Sequence, residues 1–210
     1  MSSLPTIKPG RVVLHGSNPF IWLSDSTNGD RTTDASVWTI TFSPYGFGHI
    51  LFIKSELTDN NWKIYSDNRA LARWMQETVQ GMLNPKTARQ SIPVIDAFFS
   101  VFGDARTEWK HTIKSTEDTI ELIWQNMEHP ILVQDDTVST PDRPFAVSAV
   151  MSAAKKAKVI INGQSARGKI WPMDLNGLPF QTGALAFAES WREKSSREKS
   201  THNTYESSSG

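Results

Sequence analysis

The chain has 210 residues, 22 Lys plus Arg against 22 Asp plus Glu, and no cysteine. That length suits one domain with a buried core, and a formal charge of zero gives no long-range pull toward nucleic acid or an acidic membrane. Without cysteine there are no disulfides, thiolate metal sites or Cys nucleophiles, which fits a reducing, cytoplasmic setting.

Residues 11–15 and 20–24 are short apolar runs separated by Gly16 and Pro19, and they predict two strands. Residues 25–34, rich in Ser, Thr, Asn, Gly and Asp, predict a loop. Trp38, Ile40 and Phe42 then alternate with Thr39 and Thr41. After a turn at 43–48 the chain returns through 49–53, which predicts a hairpin, and 62–65 is a further strand. One helix is expected at about 67–83, capped by Asp67 or Ser66, with Leu71, Trp74, Met75, Thr78, Val79 and Met82 at helical spacing. Asn84-Pro85 ends it.

Residues 92–102 suit a helix opened by Pro93 or a strand carrying Phe98, Phe99, Val101 and Phe102; the turn pair Gly103-Asp104 favours the strand. The clearest hairpin joins 108–114 to 119–126. It pairs Ile113 with Ile120, His111 with Leu122 and Trp109 with Trp124, and turns Lys110, Lys114 and Glu121 outward. Strands at 131–133, 144–152, 157–162, 168–172 and 182–191 complete the series. Strict alternation in the last places Leu185, Phe187, Glu189 and Trp191 on one face and Ala184, Ala186 and Ala188 on the other. About ten to twelve strands must close or stack to hide their edges. The expectation is an all-β, mostly antiparallel, closed or nearly closed barrel over 11–192, with a sandwich or jelly roll second. An extension over 1–10 precedes it and a disordered polar tail over 193–210 follows.

The order of elements resembles the lipocalin-like, or calycin, barrels. The features are Gly16 after the first strand, the successive long hairpins and the ending Leu185-Ala-Phe-Ala-Glu-Ser-Trp191. The opening Gly-x-Trp of lipocalins is absent in that form, since Gly10 is followed by Arg11-Val12. The resemblance implies one open mouth and a small, mainly apolar ligand, and it transfers no catalytic residue.

No P-loop, Gly-x-Gly-x-x-Gly, His-Glu-x-x-His or Gly-x-Ser-x-Gly pattern occurs. The histidines (15, 49, 111, 129 and 202) have no metal-ligand spacing, so no metal or cofactor is expected. No apolar run reaches the roughly 18 residues of a membrane span. The expected partner is therefore a small molecule, with no nucleic acid and no membrane.

The candidate catalytic residues are polar groups on apolar strand faces. His111 is a core histidine or a general acid or base. Glu189 is a rim carboxylate paired with a cation, or a proton donor or acceptor facing His111. His49 and Tyr65 would assist. Trp38, Trp109, Trp124, Trp171, Phe187 and Trp191 fill a core or line an aromatic cage. Arg106 clamps a ligand carboxylate or pairs with Asp104. The corresponding function is a cofactor-independent isomerase, cyclase or lyase acting on a small apolar or aromatic metabolite. A non-catalytic carrier using the same pocket is the alternative.

Overall fold

The computed structural model describes residues 10–89, 91–135, 145–175 and 177–194. The extension before Gly10 and the tail after Lys194, with His202, lie outside the described residues. In chain order the elements are β1 (Val12–Ser17), β2 (Phe20–Ser24), β3 (Arg31–Phe42), β4 (Gly48–Ser55), β5 (Trp62–Ser66), α1 (Arg69–Glu77) and α2 (Val79–Leu83). Then come β6 (Val94–Asp96), β7 (Phe98–Gly103), β8 (Glu108–Lys114), β9 (Thr119–Met127), β10 (Ile131–Asp135) and β11 (Phe145–Ile161). The series ends with β12 (Gln164–Ser165), β13 (Pro172–Leu175), β14 (Leu178–Gln181) and β15 (Gly183–Glu193). Among the described residues no helix is long and apolar enough to cross a membrane.

The fold is mostly β and almost wholly antiparallel; β5 and β6 form the parallel pair. The main sheet runs β6-β5-β4-β3-β1-β15-β11-β9-β8-β7, with β2, β10 and β12 paired alongside, and β13–β14 is a separate hairpin. The two ends of that order, β6 and β7, are separated in the chain by Ala97 alone.

The hairpin of β8 and β9 has the expected register: Trp109 opposite Trp124, His111 opposite Leu122 and Ile113 opposite Ile120. On its outer side Lys110 Nζ meets Glu121 Oε1 at 2.9 Å. Local alternation and a short turn suffice to specify such a pair.

Several expectations are corrected. The loop predicted over 25–34 is strand from Arg31 onward, because β3 is paired on both sides, to β2 and to β4. The single helix is two, since the backbone breaks at Thr78 (φ −112°, ψ −97°), and Asn68 rather than Asp67 or Ser66 caps the first. The runs predicted as two strands at 144–152 and 157–162 are joined, from Phe145 to Ile161, in one long strand, β11, which bridges β15 and β9; residue 144 lies outside the described residues. Within the run 168–172, residues 168–171 make only an isolated bridge at Lys169, and Pro172 opens the β13–β14 hairpin.

The curled sheet has two apolar faces. The inner one gathers Ile21, Leu23, Val37, Leu51 and Tyr65 from one half and Ile113, Leu122, Trp124, Val159 and Leu185 from the other into a single cluster. Each such fully buried side chain contributes about 1.5–3 kcal/mol relative to exposure. The interior is therefore filled along this stretch, contrary to the expectation of a hollow there. The outer face carries Leu14, Trp38, Ile50, Phe52 and Trp191, covered by Leu71, Met75 and Val79 of the helices.

Alternation fails once where it matters. Ser148 pairs with Ser190, but Val150 pairs with Phe187, so β15 spends an extra residue there. Ala188 takes it up with φ +47°. A bulge of this kind reverses the facing of every later residue. Leu185 and Phe187 stay on the inner face, whereas Glu189 and Trp191 turn to the outer one.

Candidate functional site: an outer-face groove ending at a buried glutamate

A groove of about 850 Å³ crosses the outer face. Its floor is laid in rows, because register partners on adjacent strands point to the same side. Trp22 pairs with Asp34, Asp34 with Lys54 and Lys54 with Trp62. In the next row Phe20 pairs with Ser36. Since β15 runs antiparallel to β2, Ala186 and then Glu189 lead away from the Trp22 row. Gln80, Leu83, Asn84 and Lys86 wall one side; Val133, Val147, Met151 and Leu175 wall the other.

The two ends differ in chemistry. At the Trp22 end, Arg31 donates to Asp34 Oδ2 at 2.6 Å, and its guanidinium lies 3.8 Å above the Trp22 ring. Burial pushes the Asp34 carboxyl up, against the opposing pull of Arg31, Lys54 and Lys86. At the other end Glu189 is 6% exposed. Trp191 Nε1 donates to Glu189 Oε1 at 2.6 Å. Burial raises the Glu189 carboxyl to about 7, and the Trp191 bond only partly opposes it. A carboxyl that changes charge near neutrality beside an apolar groove is suited to moving a proton.

Midway, Trp38 Nε1 donates to Gln80 Oε1 at 2.9 Å and Ser36 Oγ to Asn18 Oδ1 at 2.7 Å, which leaves polar edges along an aromatic floor. A smaller crevice, about 340 Å³, lies near Asp25, Glu56 and Arg167. Its charges are largely engaged with one another, with Arg167 3.3 Å from both Asp25 and Glu56. Among the described residues no cluster of His, Asp and Glu is placed to hold a metal ion.

The residues singled out from the sequence divide between the faces. Glu189 and Trp191 line the groove, and Trp38 supports it through Gln80. His111, His49, Trp109, Trp124, Phe187 and Tyr65 face the inner side. Of the two readings of Glu189, the one in which it faces His111 does not hold, and the cause is the Ala188 bulge. Trp124 is core, its Nε1 donating to the Phe20 carbonyl at 3.0 Å. The Trp171 indole likewise bonds the Ser24 carbonyl at 3.0 Å.

Tyr65 donates to Asp118 Oδ2 at 2.5 Å, and Lys63 and Asn162 share that carboxylate at 3.0 Å each. Burial and Asp118 both push the Tyr65 phenol up. Burial alone would raise Asp118, but the bonds from Tyr65, Lys63 and Asn162 outweigh it and hold the carboxyl low. Tyr65 is therefore a structural tie and has no place in the groove. Arg106 is exposed in the β7–β8 turn, where its backbone N–H donates to Asp104 at 2.8 Å.

Arg31, Asp34, Ser36 and Gln80 were not singled out from the sequence. The first two sit in the segment expected to be loop, and Gln80 lies on a helix selected by its apolar positions. The available signal was Trp22, which alternates with the core residues Ile21 and Leu23 and must face the other way. Comparison with protein-family models, curated proteins and solved structures gives no match.

Proposed function

We propose that the groove binds a small molecule with a flat apolar body and an acidic or hydrogen-bond-accepting end, and that Glu189 passes a proton to or from it. The observation that carries this reading is Glu189 itself, a buried carboxyl raised to about 7 at the end of an 850 Å³ groove. Trp22, Trp62 and Trp191 suit the body, and Arg31, Lys54 and Lys86 suit the polar end. Acid–base isomerisation, cyclisation or elimination without a cofactor is the matching reaction class. In the same proposal the sheet is a lipocalin-like barrel that closes through the β6–Ala97–β7 segment, with its larger cavity on the outside.

The test is solvent proton exchange. Full-length protein is incubated with a cell metabolite extract in D₂O, and mass spectrometry follows deuterium uptake. Wild type should label or convert at least one metabolite, and Glu189→Gln should do so about 100-fold more slowly or worse. A metabolite retained equally by both proteins, with neither labelling nor conversion, would establish the carrier and overturn the catalytic reading.

A further inference from the structure

The inner face is open at one end. At its filled end Ile21, Leu51 and Tyr65 are fully buried. At the other end inward-facing residues such as His15, His49, Ser148 and Trp109 keep partial exposure, as at the rim of a curled sheet. These residues follow one another around a circuit. His49 pairs with Thr39, and Thr39 with Ser17. Two residues back along β1, His15 pairs with Ser190, its Nδ1 2.7 Å from the Ser190 Oγ, and Ser190 pairs with Ser148. Two residues on, Val150 pairs with Phe187. The Phe187 ring meets Trp109 edge-on at 5.7 Å, and Trp109 lies 6.3 Å from His111. His111 pairs with Val101, and Phe99 on that strand stacks on His49 at 5.2 Å, which completes the circuit.

Two polar atoms inside this mouth are buried without a hydrogen-bond partner: Trp109 Nε1 and His111 Nδ1. His111 is 2% exposed. Native proteins rarely leave such atoms unpaired, and each costs about 1–3 kcal/mol when they do. The indoles of Trp38, Trp124, Trp171 and Trp191 all have acceptors, so Trp109 is the exception among them. Burial, with His49 adding to it, lowers His111 to about 4, so the ring is neutral and can accept as well as donate.

We propose that this mouth is a second binding site, distinct from the Glu189 groove, for an uncharged aromatic molecule carrying a hydroxyl group. The hydroxyl oxygen accepts from Trp109 Nε1–H and its O–H donates to His111 Nδ1, while the ring lies among Phe99, His49 and Phe187. Asp67 Oδ2 lies 2.6 Å from His49 Nδ1 and disfavours an anionic guest at that edge, and none of the residues named in the circuit is a permanent cation.

Phenol is the probe. In ¹⁵N-labelled full-length protein the eight indole N–H signals are followed, and Trp109→Phe assigns that of Trp109. Phenol should shift the Trp109 signal saturably, and toluene, which lacks the hydroxyl, should bind at least tenfold more weakly. His111→Phe should weaken phenol at least tenfold, whereas Glu189→Gln should leave it unchanged. If His111→Phe does not fold, Val101→Trp, placed at the rim, should block binding instead. Absence of a saturable shift, with a long-lived water bonded to the Trp109 indole, would overturn the site. So would equal binding of toluene, or loss of the phenol shift in Glu189→Gln.

Discussion

The groove at Glu189 and the mouth at His111 lie on opposite faces of one sheet, and burial drives their titratable groups in opposite directions. Desolvation disfavours the charged form in both cases. For the Glu189 carboxyl that means a rise to about 7, and for the His111 imidazole a fall to about 4. Both groups are neutral at mildly acidic pH, but only Glu189 stands ready to change charge near neutrality. That contrast is why proton transfer is proposed for the outer groove and uncharged recognition for the inner mouth.

The bulge that separates the two faces offers the sharpest way to break this comparison. Deleting Ala188 restores strict alternation and swings Glu189 and Trp191 toward the inner face. Losing the buried Trp191 and forcing a carboxylate among apolar side chains should cost about 4–5 kcal/mol or prevent folding. Urea unfolding checks it; a deletion variant within about 1 kcal/mol of wild type would mean that the bulge does not set the facing.

Stability against pH tests the opposed shifts. The extra stability from neutral Glu189 is present below its unfolded value of 4.5 and is lost as pH rises through about 7. Its full size is about 3 kcal/mol. The His111 contribution has the other sign: stability is present above 6.5 and is lost as pH falls through about 4, with similar size. The two slopes oppose each other between pH 4.5 and 6.5. Relative to wild type, Glu189→Gln should gain stability with rising pH across that window, and His111→Phe should lose it. Chemical unfolding at a series of pH values reads both differences, and parallel curves for all three proteins would refute the assignment.

A smaller effect concerns the filled end of the inner face. Tyr65→Phe removes one of three hydrogen bonds to Asp118 and should cost about 1–3 kcal/mol, with the proton exchange proposed for Glu189 intact. A variant that folds as stably as wild type but has lost turnover would return Tyr65 to the catalytic machinery.

Much of this architecture is legible from local pattern. The β8–β9 hairpin could be read to the residue because Trp109, His111 and Ile113 alternate opposite Trp124, Leu122 and Ile120 across a short turn. The segment 92–102 could be read as strand rather than helix from its Phe-rich run and the Gly103 turn, but not its division at Ala97 into β6 and β7. Arg31–Asp34 looked like loop because its composition is polar, yet pairing on both sides satisfies its backbone and overrides composition. Glu189 could be picked out as a polar residue in an apolar strand, but not its direction. The reversing residue is an alanine at φ +47°, where a glycine or asparagine would have signalled it.

The sequence by itself determined the strand-rich fold, most of the strands, which apolar residues share a face within a strand, and Glu189 and His111 as polar residues on apolar strands. Alternation and turn residues act over a few neighbours and are written locally. The facing of Glu189, the groove beneath α2 and the partnerless Trp109 and His111 atoms were decided only in the tertiary structure. Each depends on register between strands far apart in the chain, and a single inserted residue changes which side of the sheet a side chain meets.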